Sequence, residues 1–279
     1  MEKTGVVTVD REKCNGCGIC IRRFEGYCIS EQAGIPVIDY AICNVCQKCV
    51  AICPTGAFLV NNTEPERLEG IKTLEPEELR GLLSRRRSTK IFKDDQLSRS
   101  TIQDVVSVAK YAPNQHKNID AVVITRSQTL EKIDRAALRF YKRIYTAPFS
   151  MKVLTWLFRL FSSDLHTIKR KMEYDLFVRK QIIKPGTQAL VVLVGNTRAS
   201  VTESSAQYLL ATMIVFAEAL GVGSCLMDSI KIVMNNNGKL RKEVSVDGRE
   251  KILGVLALGY SAERILNIPR GYELNIRWV

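Results

Sequence analysis

An α+β chain in two parts is what this sequence predicts, and three observations predict it. Eight of the nine cysteines fall within the first 53 of 279 residues. A polar, proline-containing stretch, Asn61-Asn62-Thr63-Glu64-Pro65-Glu66-Arg67, follows them. Beyond it, β-forming runs alternate with segments of helical period, as in one sheet flanked by helices. The expected division is a small cysteine-rich domain at 1–62, a linker at 63–75 and a larger domain at 76–279. A chain of this length suits about two domains.

The elements follow in order. Val6–Val9, Ile35–Ile38 and Ala57–Val60 gather β-formers, and the cysteine loops lie between them, so the first part reads as two short hairpin-like halves. A helix should start at Pro76, with Glu77 and Glu78 in its first turn where the dipole favours acids, and end near Ser84. Ser100-x-x-Gln103 looks like a capping box ahead of Ile102, Val105, Val106 and Ala109. Ala121–Thr125 reads as a strand, Gln128–Tyr145 as a helix and Gln188–Val194 as a buried strand. Glu203–Leu220 is a long, strongly apolar helix expected at the centre, and Ile252–Gly259 is a last buried strand. Met151–Phe161 is apolar except at Lys152, Thr155 and Arg159, which form one narrow stripe on a helix. It suits core, a subunit interface or a lid, and an interfacial membrane anchor ranks last. No apolar run reaches the roughly 18 residues of a membrane span.

The cysteines carry the first chemistry. They form two runs, Cys14-x2-Cys17-x2-Cys20 followed by Cys28, and Cys43-x2-Cys46-x2-Cys49-x3-Cys53-Pro54. Two-residue gaps let three thiolates of one tight loop cap three irons of a cubane, and the fourth iron then takes a ligand from elsewhere. The second run resembles the bacterial ferredoxin pattern, in which the cysteine before the proline ligates the other cluster of a pair. That resemblance implies two [4Fe–4S] clusters, one on Cys14, Cys17, Cys20 and Cys53, the other on Cys43, Cys46, Cys49 and Cys28. Seven residues separate Cys20 from Cys28 and Ile29 follows it, so a three-cysteine [3Fe–4S] site stays open as a minor alternative. Structural zinc is disfavoured because it does not ask for a third cysteine at the same spacing, twice. Disulfides are disfavoured because the chain opens on a polar, charged segment without a secretory signal, which also points to the cytoplasm. A 60-residue domain buries little apolar surface, so the clusters are expected to serve as its core.

The formal net charge is +12. Residues 1–62 hold six basic and six acidic side chains, so the excess lies downstream. It is densest from Arg139 to Lys180, where ten Lys or Arg face Asp164, Glu173 and Asp175. No nucleic-acid-binding signature accompanies it, and no nucleic-acid partner is expected. The segment reads as a solvated basic face or as a landing site for an acidic electron donor.

The larger domain has no G-x-G-x-x-G after a strand and no Walker sequence. It does have Arg85-Arg86-Arg87-Ser88-Thr89-Lys90, whose guanidiniums, hydroxyl and ammonium can surround one phosphate. The segment Arg86–Phe92 resembles the opening motif of the FMN-dependent nitroreductase family. Tyr111-Ala112-Pro113 is similar to that family's second flavin loop, Glu203–Leu210 continuing to Leu220–Cys225 to its central helix and glycine turn, and Leu256–Ser261 to its last strand and turn. The four motifs stand in the family's order over about residues 76–279, so the whole chain resembles a ferredoxin–nitroreductase fusion. The resemblance implies a nitroreductase-type domain with a central, mostly antiparallel sheet, and a homodimer with FMN at the interface. It implies that Arg86, Arg87, Ser88 and Lys90 hold the FMN phosphate and ribityl chain and that Gly223 and Ser224 approach the ring. Arg264 or Arg270 would complete the phosphate site. The family's asparagine four residues after the proline is Lys117 here, which leaves Asn114 and Asn118 as displaced candidates, Asn118 the favoured one. Cys225 reads as a small buried residue, His116 as a surface-loop histidine ahead of a proton donor to substrate, and Trp278 as the anchor of a C-terminal arm; His166 is the only other histidine.

The function expected from all this is a reductase taking electrons from reduced ferredoxin, flavodoxin or NAD(P)H. They would pass through two clusters to FMN and on to a nitroaromatic, quinone or similar electrophile. Two rivals stay open: an electron carrier or redox sensor with a degenerate flavin site, and a basic interaction protein using Arg139–Lys180.

Overall fold

The computed structural model describes residues 6–24, 27–113, 119–146, 170–196, 202–269 and 274–278. The chain divides into two compact units. One is Met1–Thr73 with Ala112–Asp120 and Gly195–Leu209; the other is Leu74–Tyr111 with Ala121–Val194 and Leu210–Val279. The expected helix at Met151–Phe161 and most of the basic run Arg139–Lys180 lie outside the described residues.

The cysteine-rich part is built twice over. β1 (Val7–Val9) pairs antiparallel with β4 (Phe58–Val60), and β2 (Ile29–Gln32) pairs antiparallel with β3 (Ile35–Ile38). Strand β2 was not foreseen; the two-residue turn that makes it a hairpin is Ala33-Gly34, with φ of 53° and 77°, the geometry whose twist matches paired strands. Each cysteine loop leads into a short helix, α1 (Ile19–Phe24) and α2 (Lys48–Ile52). The repeat extends to hydrogen bonds. Asp10 O accepts from Cys14 N, and Asp39 O from Cys43 N. Asn15 Oδ1 accepts from Cys17 N at 3.3 Å, and Asn44 Oδ1 from Cys46 N at 3.2 Å. The apolar core here is thin: Val7, Ile29, Ile38, Val45 and Phe58 with Cys20.

The larger part is organised by a four-stranded sheet in the order β5-β6-β8-β7, made of β5 (Ile119–Ile124), β6 (Ala189–Gly195), β7 (Gly223–Leu226) and β8 (Lys251–Gly259). Every residue of β6, and all of β8 but Lys251, is buried, which is why both read as unbroken apolar runs. Strand β7 replaces what the sequence suggested was only a glycine turn: Gly221, at φ 70°, reverses the chain, and Gly223–Leu226 then pairs antiparallel with Gly259–Leu256.

Around the sheet lie α3 (Pro76–Arg85), α4 (Arg99–Ser107), α5 (Ser127–Thr146), α6 (Thr202–Ala219), α7 (Asp228–Asn235) and α8 (Gly238–Glu243). Glu75 and Glu78 form a reciprocal capping box at the start of α3. Helix α4 is capped by Ser98, whose hydroxyl accepts from Thr101 N, and not by Ser100, so the expected box is displaced by two residues. Ser100 instead hydrogen-bonds the capping hydroxyl at 2.7 Å. Helix α5 buries Ile133, Ala136, Ala137 and Tyr141, an amphipathic stripe, whereas α6 is apolar nearly all round and buries Ala206, Leu209, Leu210, Met213 and Ala217. Among the described residues no helix is long and apolar enough to cross a membrane.

One packing contact orders the sheet's end. Phe92, 3% exposed, rests on Gly186 and Gly259, and a Cβ placed on Gly186 would lie 2.2 Å from Phe92 O. Gly186 also sits at φ 73°, so alanine there meets both strain and a clash. Gly186→Ala should therefore destabilise the protein by about 3 kcal/mol or more, whereas Gly238→Ala, with open space at its Cβ, should cost far less. Thermal melting of the two variants beside the parent chain checks this.

Candidate functional site

Two groups of side chains invite chemistry, one in each part of the chain. In the first, the thiols sort into sets. Cys20 feels the charges of Cys53 and Cys14, while Cys28 feels Cys43 and Cys46 and shares a side-chain hydrogen bond with Cys43. Cys49 feels Cys46, Cys43 and Cys28. Burial pushes the thiols of Cys20 and Cys28 up, and pushes that of Cys49 up to about 12, with neighbouring thiols adding to each rise. Cys53 goes the other way: burial opposes it, but the Thr55 hydroxyl and the amides of Ala57, Thr55 and Gly56 hold its thiol below the ordinary value. Ala57 N donates to Cys53 Sγ at 3.3 Å.

The loops that carry these thiols adopt costly backbone. Gly16 and Gly18 both lie at φ 67°, and the corresponding residues of the second run, Val45 and Gln47, lie at 57° and 63°. A β-branched residue in the left-handed region is a genuine outlier, of order 1–3 kcal/mol, and persists only where the surroundings fix it. Both loops thus hold their thiols in the same bowl, at a local cost only in the second, since glycine takes this backbone without strain in the first. Among the described residues no three His, Cys, Asp or Glu side chains gather as around a single ion. Sulfurs on one zinc stand only about 3.8 Å apart, from Zn–S bonds of about 2.3 Å. The donor set, eight thiols in two groups with backbone amides aimed at sulfur, fits polynuclear clusters.

The second group lies where α3 ends. Chain segment 88–93 is laced to three places: Thr89 N donates to Ser224 O at 2.9 Å, Phe92 N to Pro185 O at 2.9 Å and Lys93 N to Tyr260 O at 2.8 Å. Ser88 bridges Ser224 in parallel, so Ser88, Thr89, Gly223 and Ser224 stand side by side. Gly223 is needed for this approach, because a Cβ there would lie 2.6 Å from Thr89 Oγ1.

The cations of the segment then differ in availability. Arg85 pairs with Glu218 at 3.3 Å. Arg87 turns back onto its own helix end, donating through Nη1 to Ser84 O and Arg86 O. Lys90 Nζ lies 3.9 Å from the sulfur of buried Cys225, and its backbone N donates to Glu263 Oε2 at 2.7 Å. Among the described residues the side chains of Arg86, Ser88 and Arg264 make no hydrogen bond or ion pair. Arg86, the Ser88 hydroxyl and Arg264 therefore keep their donors open, while the Lys90 ammonium has only the Cys225 sulfur. Asn114, His116, Lys117, Asn118, His166 and Arg270 lie outside the described residues. Trp278 is 90% exposed.

Sequence reasoning missed Thr89 and Glu263, which position Lys90. Glu263 had no signal, being one acid of an unremarkable turn. It also missed how far the cysteine repeat extends, although Asp-x3-Cys-Asn-x-Cys stands twice in the sequence, at Asp10–Cys17 and Asp39–Cys46.

Comparison with known proteins finds relatives for both parts of the chain. The N-terminal region is similar to an uncharacterised ferredoxin of Methanocaldococcus jannaschii, 32% identical over 65 residues, which is 22% of this chain and 84% of that protein. The fold is shared with a Desulfitobacterium hafniense nitroreductase determined with bound FMN, at TM-score 0.56 and 14% identity over 74% of this chain and 100% of that one. It is shared also with a Bacteroides fragilis nitroreductase, likewise with bound FMN, at TM-score 0.54 and 15% identity over 72% of this chain and 98% of that one. The sequence profile of the nitroreductase family matches residues 83–260, from the last turn of α3 through the end of β8, and the chain belongs to that family.

Proposed function

We propose that this chain is an iron–sulfur flavoprotein oxidoreductase, taking electrons from a low-potential donor and delivering them to a nitroaromatic, quinone or related electrophile. The observation that carries the reading is the pairing, in one chain, of two thiol bowls with a nitroreductase-family domain in which the side chains of Arg86, Ser88 and Arg264 make no hydrogen bond or ion pair among the described residues. When bound, [4Fe–4S] clusters would supply one-electron transfer, and FMN the collection of electrons in pairs that such acceptors require. Residues 1–62, the linker 63–75 and residues 76–279 would be the working divisions.

In this reading Cys14, Cys17, Cys20 and Cys53 hold one cluster, and Cys28, Cys43, Cys46 and Cys49 the other. The amides on Cys53 favour its thiolate. Arg86 and Lys90 meet the FMN phosphate with charge-assisted bonds, Ser88 adds a hydroxyl, and Arg264, Arg270 and Asn118 are further candidates. Gly223 and Ser224 bring backbone close to the ring. Exposed Ile265, Leu266, Ile268, Leu274, Ile276 and Trp278 suit burial against a second copy, which supports a homodimer.

For the donor, the cysteine-rich part offers a groove of about 410 Å³ between α1 and α2, floored by Ile19, Phe24, Ala51 and Ile52 and edged by Arg23 and Lys48. Each of these helices carries a cysteine, Cys20 in α1 and Cys49 in α2. An apolar floor with cations at its rim complements an acidic carrier, a ferredoxin or flavodoxin, within reach of both clusters.

Three measurements test the reading. Anaerobically reconstituted protein should hold eight irons and one FMN per chain, and Cys28→Ala should damage one cluster and spare the other; about four irons in the parent protein would exclude the two-cluster arrangement. In titrations of apo-protein with FMN, Arg86→Ala and Lys90→Ala should each lose about 1.5–3 kcal/mol of binding, and Arg87→Ala should lose less because its guanidinium serves its own helix end. In stopped-flow reduction of the full chain, reduced ferredoxin should act faster than NADH or NADPH. Salt should slow it, and Arg23→Glu with Lys48→Glu should slow it further while dithionite reduction is unchanged. Equal rates with the nicotinamides would remove the carrier from the scheme.

A further inference from the structure

The two thiol sets repeat in sequence but not in what surrounds their sulfurs. The difference is sharpest at the last cysteine of each run: Cys53, which stands with Cys14 and Cys20, and Cys28, which stands with Cys43, Cys46 and Cys49.

After Cys53 the chain folds back over its own sulfur. Gly56, at φ 68°, makes the turn, Ala57 N donates to Cys53 Sγ at 3.3 Å, and the amides of Thr55 and Gly56 turn to the same atom. The Thr55 hydroxyl stands 3.5 Å from it. A sulfur bound to iron carries no proton and only accepts, so there the hydroxyl donates. The start of the linker then covers this loop. Pro65 Cγ lies 3.4 Å from where a Cβ on Gly56 would stand, and Arg67 Nη1 donates to Pro54 O at 2.8 Å, which fixes a guanidinium beside Cys53. A second guanidinium is fixed on the same thiol set, because Arg22 Nη1 donates to Cys17 O at 3.1 Å.

Cys28 is treated differently. Strand β2 begins at Ile29, so the chain runs on extended, and the fourth residue along a strand is about 13 Å away. Ser30 holds the place of Thr55, but it is exposed, and among the described residues its hydroxyl makes no hydrogen bond. Ala51 holds the place of Arg22. Lys48, the cation of α2, is exposed and is fixed by no hydrogen bond or ion pair among the described residues. Lys13, next to Cys14, adds little to the balance, since Glu64 and Asp10 both pair with it. Reducing a cluster adds one negative charge over its iron and sulfur. Donors on a ligating sulfur, and a cation held beside it, stabilise that charge and raise the potential of the site.

We propose, on the reading that each thiol set holds a [4Fe–4S] cluster, that the two sites are unequal. The site of Cys14, Cys17, Cys20 and Cys53 has the higher reduction potential, and the Thr55 hydroxyl, the Ala57 amide and Arg67 raise it. An electron from a low-potential carrier then settles at the Cys53 site whichever site it enters. The carrier is oxidised by one electron, that site is reduced by one, and no bond or proton changes.

The test is a redox titration of the full chain, reconstituted anaerobically, with its iron counted and its reduction followed by EPR. Two one-electron steps should appear, separated by about tenfold or more in electron affinity, which is about 59 mV. Thr55→Val, which keeps the shape and removes the hydroxyl, should lower the upper step and leave the lower one in place. Arg67→Gln should do the same by less, because its exposed charge is screened. Cys28→Ala should retain the upper step. Should Thr55→Val fail to fold, Arg67→Gln, on an exposed side chain, carries the test. Eight irons with two steps of equal potential, or a gap unchanged in both variants, overturns the proposal. So does a Cys28→Ala protein that keeps only the lower step. About four irons in the parent chain removes the two-cluster reading beneath it, and the proposal with it.

Discussion

Segment 88–93 reaches its place only because three glycines make room. Gly186 and Gly259 admit Phe92, and Gly223 admits Thr89; at each, a Cβ would approach a neighbouring atom closer than 3.0 Å. Once admitted, the segment donates its hydrogen bonds to the carbonyls of Ser224, Pro185 and Tyr260. The phosphate-site candidates inherit their positions from this seating. Arg86 ends α3, Lys90 is held by the carboxylate of Glu263, and Ser224 stands at the neighbouring bridge. The buried strands β6 and β8 make the seat rigid, since neither can shift without opening a core of close-packed aliphatic side chains.

The cysteine-rich part obeys a different economy. Its core of five aliphatic or aromatic residues and one cysteine is too small to impose strained loops by itself. Yet Val45 and Gln47 are held in the left-handed region, where the first loop uses glycines. The repeated Asp and Asn bonds supply part of the restraint by tying each loop's amides to its own side chains. The rest fits ligation. A loop that must aim three sulfurs at one centre has few backbone solutions, and both runs find the same one.

How much of this was legible in the sequence follows from how local each signal is. Strands β6 and β8 were legible because burial on all sides leaves an unbroken apolar run, and helix α6 because its second half is almost wholly apolar. The cysteine runs were legible because ligand spacing is a local property. Strand β2 was missed because its signal is a turn, Ala33-Gly34, with an unusual first residue. Strand β7 was missed because Gly221 and Gly223 read together as one reversal; Gly221 does reverse the chain, but the reason for Gly223 is the approach of Thr89, more than a hundred residues away. The cap of α4 slipped because Ser98 and Ser100 are chemically alike and only geometry separates them. At the candidate site, the sequence presented three arginines in a row as equals, and the fold makes them unequal. Arg85 is paired with Glu218 and Arg87 with its own helix end, and Arg86 alone is left open.

The same distinction between held and open charge explains the large net charge of +12 better than any count does. In the larger part five acids are engaged: Glu218 by Arg85, Glu243 by Lys132, Asp175 by Arg179, Asp134 by two amides and Glu263 by the amide of Lys90. A surplus of cations is then unavoidable. Dispersed on an outer face, such charges are solvated and do little. Arg86 is half-buried at the end of a helix, so water screens it less. A positive charge that the fold declines to pair internally, at a place where solvent cannot fully compensate it, is a demand for an external anion. That demand arises at the α3 terminus, where the chemistry selects a ligand that brings its own negative charge.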